Sequence, residues 1–462
     1  MTEPIELSYD RDTLVVAGEP STCERLPYCQ FDPRIGKHRA IGRHYRAIVE
    51  FLRREKIAYT DRARAWEPTE WKLTSSREPY PHQREAVAAW WQAGGQGVVV
   101  LPTGTGKTFT AMLAMAKAAR PVLVITPTID LINQWYYELS AAFGVPVGLL
   151  GGGHYDLQAM TVSTYDSAYL HVERWGNRYG MLVFDECHHL PGPTYSVAAL
   201  AALAPYRLGL SATPERSDGG EVHYPDLIGP IVYRKEINEL EGEFLAEYRT
   251  ERIFVDLTPE EQRQYVSLRH QYKQFIQARG LRIGSPAGWQ RFIIESTRSP
   301  EGRAAFRAYR QAKQLERTTS AKFEVLSRLL AQHQHERIIV FTADNATVYR
   351  IARQFLVPAL THQTKTKERR LILERFHQGD YPVIVTSQVL NEGVDVPAAS
   401  VGIILSGTGT TRESVQRLGR ILRKHGEKQA LLYELVARGT AEEYTSDRRR
   451  QHSAFKPTPP PE

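Results

Sequence analysis

The sequence predicts an α/β fold built from two parallel-sheet domains in tandem. Two separate regions contain short apolar segments rich in β-branched residues, and each segment is followed by turn residues and a helix-like stretch. Segments of this kind are typical of parallel strands buried between helices. At 462 residues the chain also exceeds the usual size of one domain, so more than one sheet is expected.

The predicted strands define the two domains. In the first domain, residues 71–238, the strands are predicted at 97–103, 122–127, 160–164, 181–186 and 207–213. In the second domain, residues 326–450, they are predicted at 337–344, 381–388, 401–407 and 430–436. The alternation of strand and helix predicts a parallel sheet with helices on its faces in each domain.

Three further segments complete the predicted organisation. Residues 1–70 are expected to form a small N-terminal domain, residues 239–325 a helical insert, and residues 451–462 a disordered, proline-rich tail. Between Gln262 and Arg317 the insert carries twelve Lys or Arg and three Glu, a local excess of +9 that is larger than the +7 of the whole chain. This concentration of basic residues favours a polyanionic partner such as nucleic acid.

Composition also indicates the cellular compartment in which the protein is expected. No run of about 18 apolar residues occurs, so a membrane span is not expected. The three cysteines, Cys23, Cys29 and Cys187, have the spacing of neither a zinc ribbon nor a disulfide framework. This cysteine content favours a reducing cytoplasm.

The loop LPTGTGKT has the features of a phosphate-binding loop, because a predicted strand precedes it and a helix-like stretch follows it. Gly104 and Gly106 allow the backbone N–H groups around Thr105 to turn toward phosphate oxygens. Lys107 is expected to reach the β- and γ-phosphates, and the Thr108 hydroxyl is expected to bind Mg²⁺. The flanking strand and helix disfavour an incidental glycine-rich turn.

The segment FDECHH closes another predicted strand. Asp185 at the strand end is expected to hold Mg²⁺, and Glu186 is expected to orient and deprotonate the attacking water. An acidic turn after a strand is the alternative. The adjacent His188 and His189 lack the i, i+4 spacing that converges on one zinc ion, so a zinc site is disfavoured.

Three arginines recur every three residues in SVQRLGRILR: Arg417, Arg420 and Arg423. They lie along one side of a predicted helix and can form a solvated basic face. Alternatively, Arg420 and Arg423 stabilise charge on the transferring γ-phosphate, which would complete the active site across a domain interface.

Nine ordered blocks resemble the motifs of the superfamily 2 helicases: Gln83, LPTGTGKT, TPTIDLINQW, VSTYDS, FDECHH, SAT, IIVFTAD, VTSQVLNEGVDVP and QRLGRILR. The resemblance covers residues 80–440. It implies two RecA-like motor domains that bind ATP and Mg²⁺ and act on nucleic acid.

The resemblance also implies roles for individual residues. Tyr80 and Gln83 are expected to recognise adenine, and Gly393 and Asp395 belong to a motif that senses nucleotide and touches the nucleic-acid backbone. The remaining implied roles are backbone contacts to DNA by Thr128 and Thr164, and coupling of hydrolysis to domain movement by Ser211, Thr213 and Gln416.

Within this superfamily the chain most resembles the XPB-type helicases, especially the compact archaeal and bacterial forms. The match implies that residues 1–70 are a damage-recognition domain and that residues 239–325 are a thumb-like domain. The family has an Arg-Glu-Asp loop that helps to open duplex DNA, and here that loop is Arg216-Ser217-Asp218. The resemblance further implies 3′-to-5′ polarity, a role in DNA repair on duplexes with single-stranded or damaged features, and a partner nuclease.

The basic insert is itself suited to gripping DNA. Arg303, Arg307 and Arg310 lie on one predicted helical stripe and are expected to contact phosphates. The interspersed aromatics Tyr272, Phe275, Trp289, Phe292 and Tyr309 can stack on exposed bases. We favour the other interpretation for these aromatics, the core of a helical hairpin.

Other functions remain open at this point. The chain is an ATP-dependent DNA helicase or translocase, a non-unwinding clamp that binds DNA under nucleotide control, or the motor of a restriction or phage-defence complex. Such defence motors usually carry a fused nuclease with clustered carboxylates, and the sequence has no such cluster. An RNA helicase is disfavoured, because residue 188 is His rather than Asp.

Overall fold

The computed structural model describes residues 4–216, 218–387, 399–407, 411–422, 429–450 and 455, with the side chains of 286, 411, 412 and 420 outside that description. Residues 388–397 of the block VTSQVLNEGVDVP lie outside the described residues, and with them Gly393 and Asp395. Ser217 and Arg423 lie outside them as well. The tail predicted at 451–462 does so too, apart from residue 455. The chain divides into two compact units, residues 1–235 and 236–462.

A small mixed sheet begins the first unit. Its strand order is β3-β4-β2-β1-β5, with antiparallel pairs except for the parallel pair β1–β5. Helix α2 buries Ile48 and Leu52 in the core of this domain. The elements are β1 (Ile5–Asp10), β2 (Thr13–Ala17), α1 (Pro20–Cys23), β3 (Gln30–Asp32), β4 (Lys37–Ile41), α2 (Tyr45–Arg54) and β5 (Tyr59–Asp61).

The rest of the first unit is a sheet flanked by helices. Its strand order is β13-β6-β12-β11-β7-β10-β8-β9, and its pairs are parallel except for β8–β9. The elements are α3 (Pro81–Gln92), β6 (Gln96–Val100), α4 (Lys107–Ala118), β7 (Val122–Thr126), α5 (Ile129–Phe143), β8 (Val147–Gly151), β9 (His154–Tyr155), β10 (Met160–Thr164), α6 (Tyr165–Trp175), β11 (Met181–Asp185), α7 (Ser196–Ala201), β12 (Tyr206–Ser211), α8 (Tyr224–Leu227) and β13 (Ile231–Arg234).

The five strands predicted for this domain are confirmed as β6, β7, β10, β11 and β12. Their side chains are almost all buried, as expected for parallel strands covered on both faces. Since β6, β12 and β11 are adjacent and parallel, their carboxyl ends meet at one edge of the sheet. The phosphate-binding loop, Ser211 and Asp185 all lie at that edge.

The N-terminal domain packs directly on this sheet domain. The Tyr9 hydroxyl donates to the Ala201 carbonyl at 3.2 Å, and Leu203 is part of the N-terminal core. Arg43 Nε donates to the Asp226 carbonyl at 2.9 Å. The two domains therefore form one compact unit.

The second unit contains a six-stranded sheet. Its order is β14-β19-β18-β15-β17-β16, and all of these pairs are parallel. The elements are β14 (Tyr248–Val255), α9 (Pro259–Ala278), α10 (Pro286–Thr297), α11 (Pro300–Thr318), α12 (Ser320–Gln332), β15 (Ile338–Phe341), α13 (Asn345–Phe355), β16 (Ala359–Leu360), α14 (Thr366–Gln378), β17 (Val383–Thr386), β18 (Val401–Ile404), α15 (Thr411–Ile421), β19 (Ala430–Ala437) and α16 (Ala441–Arg450). The four strands predicted here are confirmed as β15, β17, β18 and β19.

The expectation of a helical insert that fills residues 239–325 is corrected at both ends. Strand β14 belongs to the sheet, where it pairs in parallel with β19 along its whole length. Because β14 lies at an edge of the sheet, many of its side chains are polar and exposed. It therefore lacks the continuous apolar pattern from which the other strands were predicted. Phe323 and Leu326 of α12 lie in the core of the sheet domain. The helical insert is therefore α9 to α11.

Helices α9, α10 and α11 enclose an aromatic core. The Tyr272 and Tyr309 ring centres lie 5.4 Å apart, and those of Trp289 and Tyr309 lie 5.1 Å apart. Phe292 is fully buried, and Ala308 is a small buried residue of α11 where it packs on α9. The aromatics of the insert thus form a hairpin core, as favoured from the sequence.

Two compositional expectations can be compared with the described residues. No helix in that part of the chain is both long and apolar enough to cross a membrane. Cys23, Cys29 and Cys187 are all free thiols.

Candidate functional site

The phosphate-binding loop connects β6 to α4. Gly104 and Gly106 have φ values of +91° and +83°, in the left-handed region that favours glycine. A Cβ on Gly106 would lie 2.5 Å from the Gln83 side-chain nitrogen, so this position requires glycine. Lys107 begins α4, and its Nζ donates to the Leu101 carbonyl at 3.3 Å. The loop amides, the N-terminus of α4 and the ammonium group of Lys107 together form a site suited to binding an anion.

Gln83 braces this loop from helix α3. Its fully buried side chain accepts from the Tyr80 amide at 3.0 Å and donates to the Thr105 carbonyl at 3.0 Å. His82 Nε2 lies 3.1 Å from the same carbonyl. Tyr80 instead presents a ring that is 42% exposed. Adenine recognition by Tyr80 and Gln83 stays a prediction, and in this structure Gln83 holds the loop.

Asp185 ends β11 as a buried carboxylate. Trp135 Nε1 donates to its Oδ2 at 2.8 Å, and the Glu186 amide donates to its Oδ1 at 3.0 Å. Burial, followed by the neighbouring Glu186 carboxylate, raises the pKa of Asp185 to about 6, while Trp135 and Lys107 oppose this rise. A buried carboxylate of this kind is suited to a cation that compensates its charge.

Glu186 has an unusual backbone. Its φ of 45° and ψ of 54° are left-handed, which costs a residue with a side chain about 1–2 kcal/mol. Its Oε2 lies 3.4 Å from His188 Nδ1 and 3.5 Å from the Ser211 hydroxyl. The Thr213 amide donates to that same hydroxyl at 3.1 Å. The predicted base is therefore brought into one cluster with Ser211 and Thr213, two of the three predicted coupling residues.

These groups fit bound Mg²⁺ and ATP. The Thr108 hydroxyl belongs to the first turn of α4, beside the loop, and Lys107 lies close enough to Asp185 to lower its pKa. A hydroxyl and a carboxylate are the oxygen ligands that Mg²⁺ prefers in such sites. Thr108 and Asp185 would hold the metal ion, and Lys107 with the loop amides would hold the phosphates.

Arg216 and Asp218 are engaged with each other. Arg216 Nε donates to Asp218 Oδ1 at 2.8 Å, and Nη2 lies 2.6 Å from Oδ2. Arg216 Nη1 also donates to the His188 carbonyl. This pairing holds the pKa of Asp218 well below its usual range. The loop predicted to touch DNA is thus tied to the segment that carries Glu186, and its DNA contact stays a prediction.

Thr128 and Thr164 both cap helices. The Thr128 hydroxyl accepts from the Leu131 amide at 3.3 Å at the start of α5. The Thr164 hydroxyl accepts from the Ser167 amide at 3.1 Å at the start of α6. Backbone N–H groups at helix N-termini suit phosphate oxygens, so both positions remain predicted DNA contacts.

In the second unit, Arg417 is the member of the arginine repeat whose side chain the structure describes. Arg417 is 1% exposed, and its guanidinium lies 5.3 Å from the Phe341 ring centre. It also donates weakly to the Thr342 carbonyl and to Glu413, at 3.5 Å each. A solvated basic face is therefore wrong for Arg417. Gln416 is buried as well, and its predicted coupling role is untested.

We expect Arg417→Ala to lower the free energy of unfolding by about 2–3 kcal/mol, because it removes a buried cation from an aromatic ring and from Glu413. Urea-induced unfolding followed by circular dichroism measures the loss. Arg438→Ala is the matched control, since Arg438 lies 5.5 Å from the Phe254 ring centre but has a side chain 60% exposed. Equal stability losses in the two variants would contradict a structural role for Arg417.

The predicted DNA-binding arginines of the insert lie on the surface. Arg303, Arg307 and Arg310 are exposed along α11, whose opposite face buries Ala305 and Ala308. Arg303 Nη1 donates to the Thr297 carbonyl at 3.2 Å. The exposed stripe gives cationic groups the access to solvent that phosphate contacts need.

Two residues near the site were missed from the sequence. Trp135 donates to Asp185, and the Arg77 guanidinium lies 5.5 Å and 5.0 Å from the ring centres of Tyr80 and Phe109. The sequence feature that could have identified Trp135 is the indole N–H donor that it adds within the block TPTIDLINQW, at a position where an apolar side chain would be enough to fill the core. No sequence pattern distinguishes Arg77.

Three family models match the chain. The model for the damage recognition domain of the xeroderma pigmentosum group B helicase matches residues 7–63. The model for the res subunit of type III restriction enzymes matches residues 76–216. The model for the conserved C-terminal domain of helicases matches residues 321–425.

Similar proteins extend across most of the chain. The DNA 3′-5′ translocase XPB2 of Sulfurisphaera tokodaii is 44% identical over 80% of this chain and 84% of its own length. The DNA 3′-5′ helicase XPB of Mycobacterium tuberculosis is 31% identical over 80% of this chain, which spans 62% of that relative. The crystal structure of the Pyrococcus furiosus Hef helicase domain has a TM-score of 0.52 at 21% identity, over 80% of this chain and 98% of that one. The likeness to the Hef domain concerns the fold.

Proposed function

The chain belongs to the XPB-type superfamily 2 DNA helicases, and from that premise we propose that it is an ATP-driven motor that moves 3′ to 5′ on DNA during repair. The relatives with that activity match both units, which favours this function over a restriction or defence motor. A partner nuclease and a cytoplasmic location stay predictions.

One observation carries the chemistry. The ends of the adjacent strands β6, β12 and β11 bring the phosphate-binding loop, Ser211 and the Asp185–Glu186 pair to one edge of the sheet. Carboxyl ends of parallel strands are where α/β sheets bind ligands. This arrangement supports ATP hydrolysis as the reaction of the first unit.

Each residue then has a definite task. Lys107 and the loop amides bind the phosphates, and Thr108 and Asp185 hold Mg²⁺, which would neutralise developing charge on the phosphates. Glu186 orients the attacking water and accepts its proton. Ser211 lies against Glu186, so a shift of the segment 211–213 changes the environment of the base.

A test of the proposal compares ATP turnover without DNA, with duplex DNA and with a forked duplex. We expect DNA to stimulate turnover. Displacement of a third strand from a triplex then measures translocation, and displacement of a strand from the fork measures unwinding. Failure of every DNA to stimulate turnover would overturn the proposed function.

Translocation without strand separation is the second candidate. Arg216 is already bonded to Asp218 and to the His188 carbonyl, and Ser stands at 217 where the family loop has Glu. Both observations favour a weak strand-opening loop. Triplex displacement with no fork opening is the result that supports this candidate.

We expect the triple variant Arg303→Gln, Arg307→Gln and Arg310→Gln to weaken DNA binding without changing sequence preference, because phosphate contacts carry no base information. Each lost contact makes the log–log salt slope shallower by roughly 0.7 to 0.9. DNA affinity across a salt series measures it, and unstimulated ATP turnover should persist.

The control for lost charge is the triple variant Arg328→Gln, Arg353→Gln and Arg370→Gln, which removes three exposed arginines from the sheet domain of the same unit. We expect its salt slope to match that of the unmodified chain. Equal slopes in both triple variants would mean that the arginines of α11 face only solvent.

A further inference from the structure

Trp135 differs from the neighbouring tryptophans in what its indole contacts. Trp71, Trp90 and Trp175 each donate to a backbone carbonyl, at 2.6, 2.9 and 3.0 Å. Trp135 Nε1 donates to the Asp185 carboxylate at 2.8 Å. A buried indole N–H needs an acceptor, and here the acceptor is the side chain expected to hold the metal ion.

The geometry around Asp185 leaves its carboxylate little freedom. Trp135 donates to Oδ2 and the Glu186 amide donates to Oδ1, so both oxygens are held and the plane of the group is set. Trp135 and Asp185 are 1% and 7% exposed. Water therefore has little access to replace either donor.

The packing of helix α5 holds the Trp135 indole in place. Leu131, Trp135 and Leu139 recur every four residues and are all buried in the core of the sheet domain. The Thr128 cap fixes the start of the helix. The position of the Trp135 nitrogen is thus set by packing rather than by Asp185.

We propose that Trp135 is a positioning residue that orients the Asp185 carboxylate for Mg²⁺ and so sets the affinity for metal-bound nucleotide. The inference rests on the proposed function, because it assumes that this site binds Mg²⁺ with ATP or ADP. The indole N–H of Trp135 is donated to Asp185 Oδ2. Its contribution comes through Asp185.

The test measures binding of the fluorescent nucleotide mant-ADP with Mg²⁺ and with EDTA. We expect Trp135→Phe to weaken binding about 10-fold in Mg²⁺, since a hydrogen bond to a charged group is worth that order, and to leave binding in EDTA unchanged. Trp175→Phe removes an equally buried indole N–H from the same domain, but from the Ala168 carbonyl. We expect this control to behave as the unmodified chain in both buffers.

Should Trp135→Phe fold poorly in thermal unfolding, incorporation of β-(3-benzothienyl)alanine at 135 keeps both rings and removes only the N–H donor. The same loss confined to Mg²⁺ supports the inference. Equal losses in Mg²⁺ and EDTA, or no loss, overturn it. If the unmodified chain binds mant-ADP equally well in both buffers, the assumed metal site fails instead, which distinguishes that failure from the failure of Trp135.

Discussion

Glu186→Gln lowers DNA-stimulated ATP turnover about 100-fold or more, because a positioned general base contributes on that scale. The amide keeps the size of the side chain but cannot accept the proton of the attacking water. Nucleotide affinity should change little, since Lys107 and the loop amides hold the phosphates. Steady-state turnover with saturating DNA and mant-ADP binding measure the two effects.

The backbone conformation of Glu186 also supports its role as the general base. Glu186 is a side-chain-bearing residue held in the left-handed region, and strained residues of this kind persist where the surroundings hold them, often at functional sites. Glu215→Gln is the matched control, because Glu215 is an exposed carboxylate that follows the adjacent strand β12 and pairs with Arg234. Near-normal turnover in Glu186→Gln would remove Glu186 as the base.

Motifs at strand ends were predictable because sequence and structure use the same signal there. The apolar strand before FDECHH is confirmed as β11, and its buried pattern ends at Asp185. The strand before LPTGTGKT is confirmed as β6. A buried parallel strand needs continuous apolar residues, so the polar residue that follows it is marked by contrast.

Contacts between distant segments were not predictable in the same way. The sequence did not indicate that the two ends of the Gln83 side-chain amide join the Tyr80 amide to the Thr105 carbonyl. The bond from Trp135 to Asp185 spans 50 residues of sequence. Such pairs depend on how helices pack on the sheet, which periodicity alone does not specify.

The arginine repeat shows the limit most clearly. Arg417, Arg420 and Arg423 are equivalent in the sequence, because spacing by three places residues on one side of a helix. Spacing does not show burial, and Arg417 proves to lie in the core beside Phe341. Spacing identifies which residues share one side of a helix. Only the packing of the helix determines whether a residue on that side is buried.

We therefore expect Arg420→Ala to differ in kind from Arg417→Ala. By the resemblance, Arg420 stabilises charge on the γ-phosphate, so its removal should reduce DNA-stimulated turnover about 10³-fold and leave nucleotide affinity far less affected. The urea midpoint should stay near that of the unmodified chain, whereas Arg417→Ala lowers it. Turnover, mant-ADP affinity and urea unfolding, measured on both variants and on Arg438→Ala, separate a transition-state role from a structural one. If turnover at subsaturating ATP and nucleotide affinity fell together by one modest factor in Arg420→Ala, this residue would contribute equally to binding the ground state and the transition state, because such an interaction changes binding without changing the chemical step.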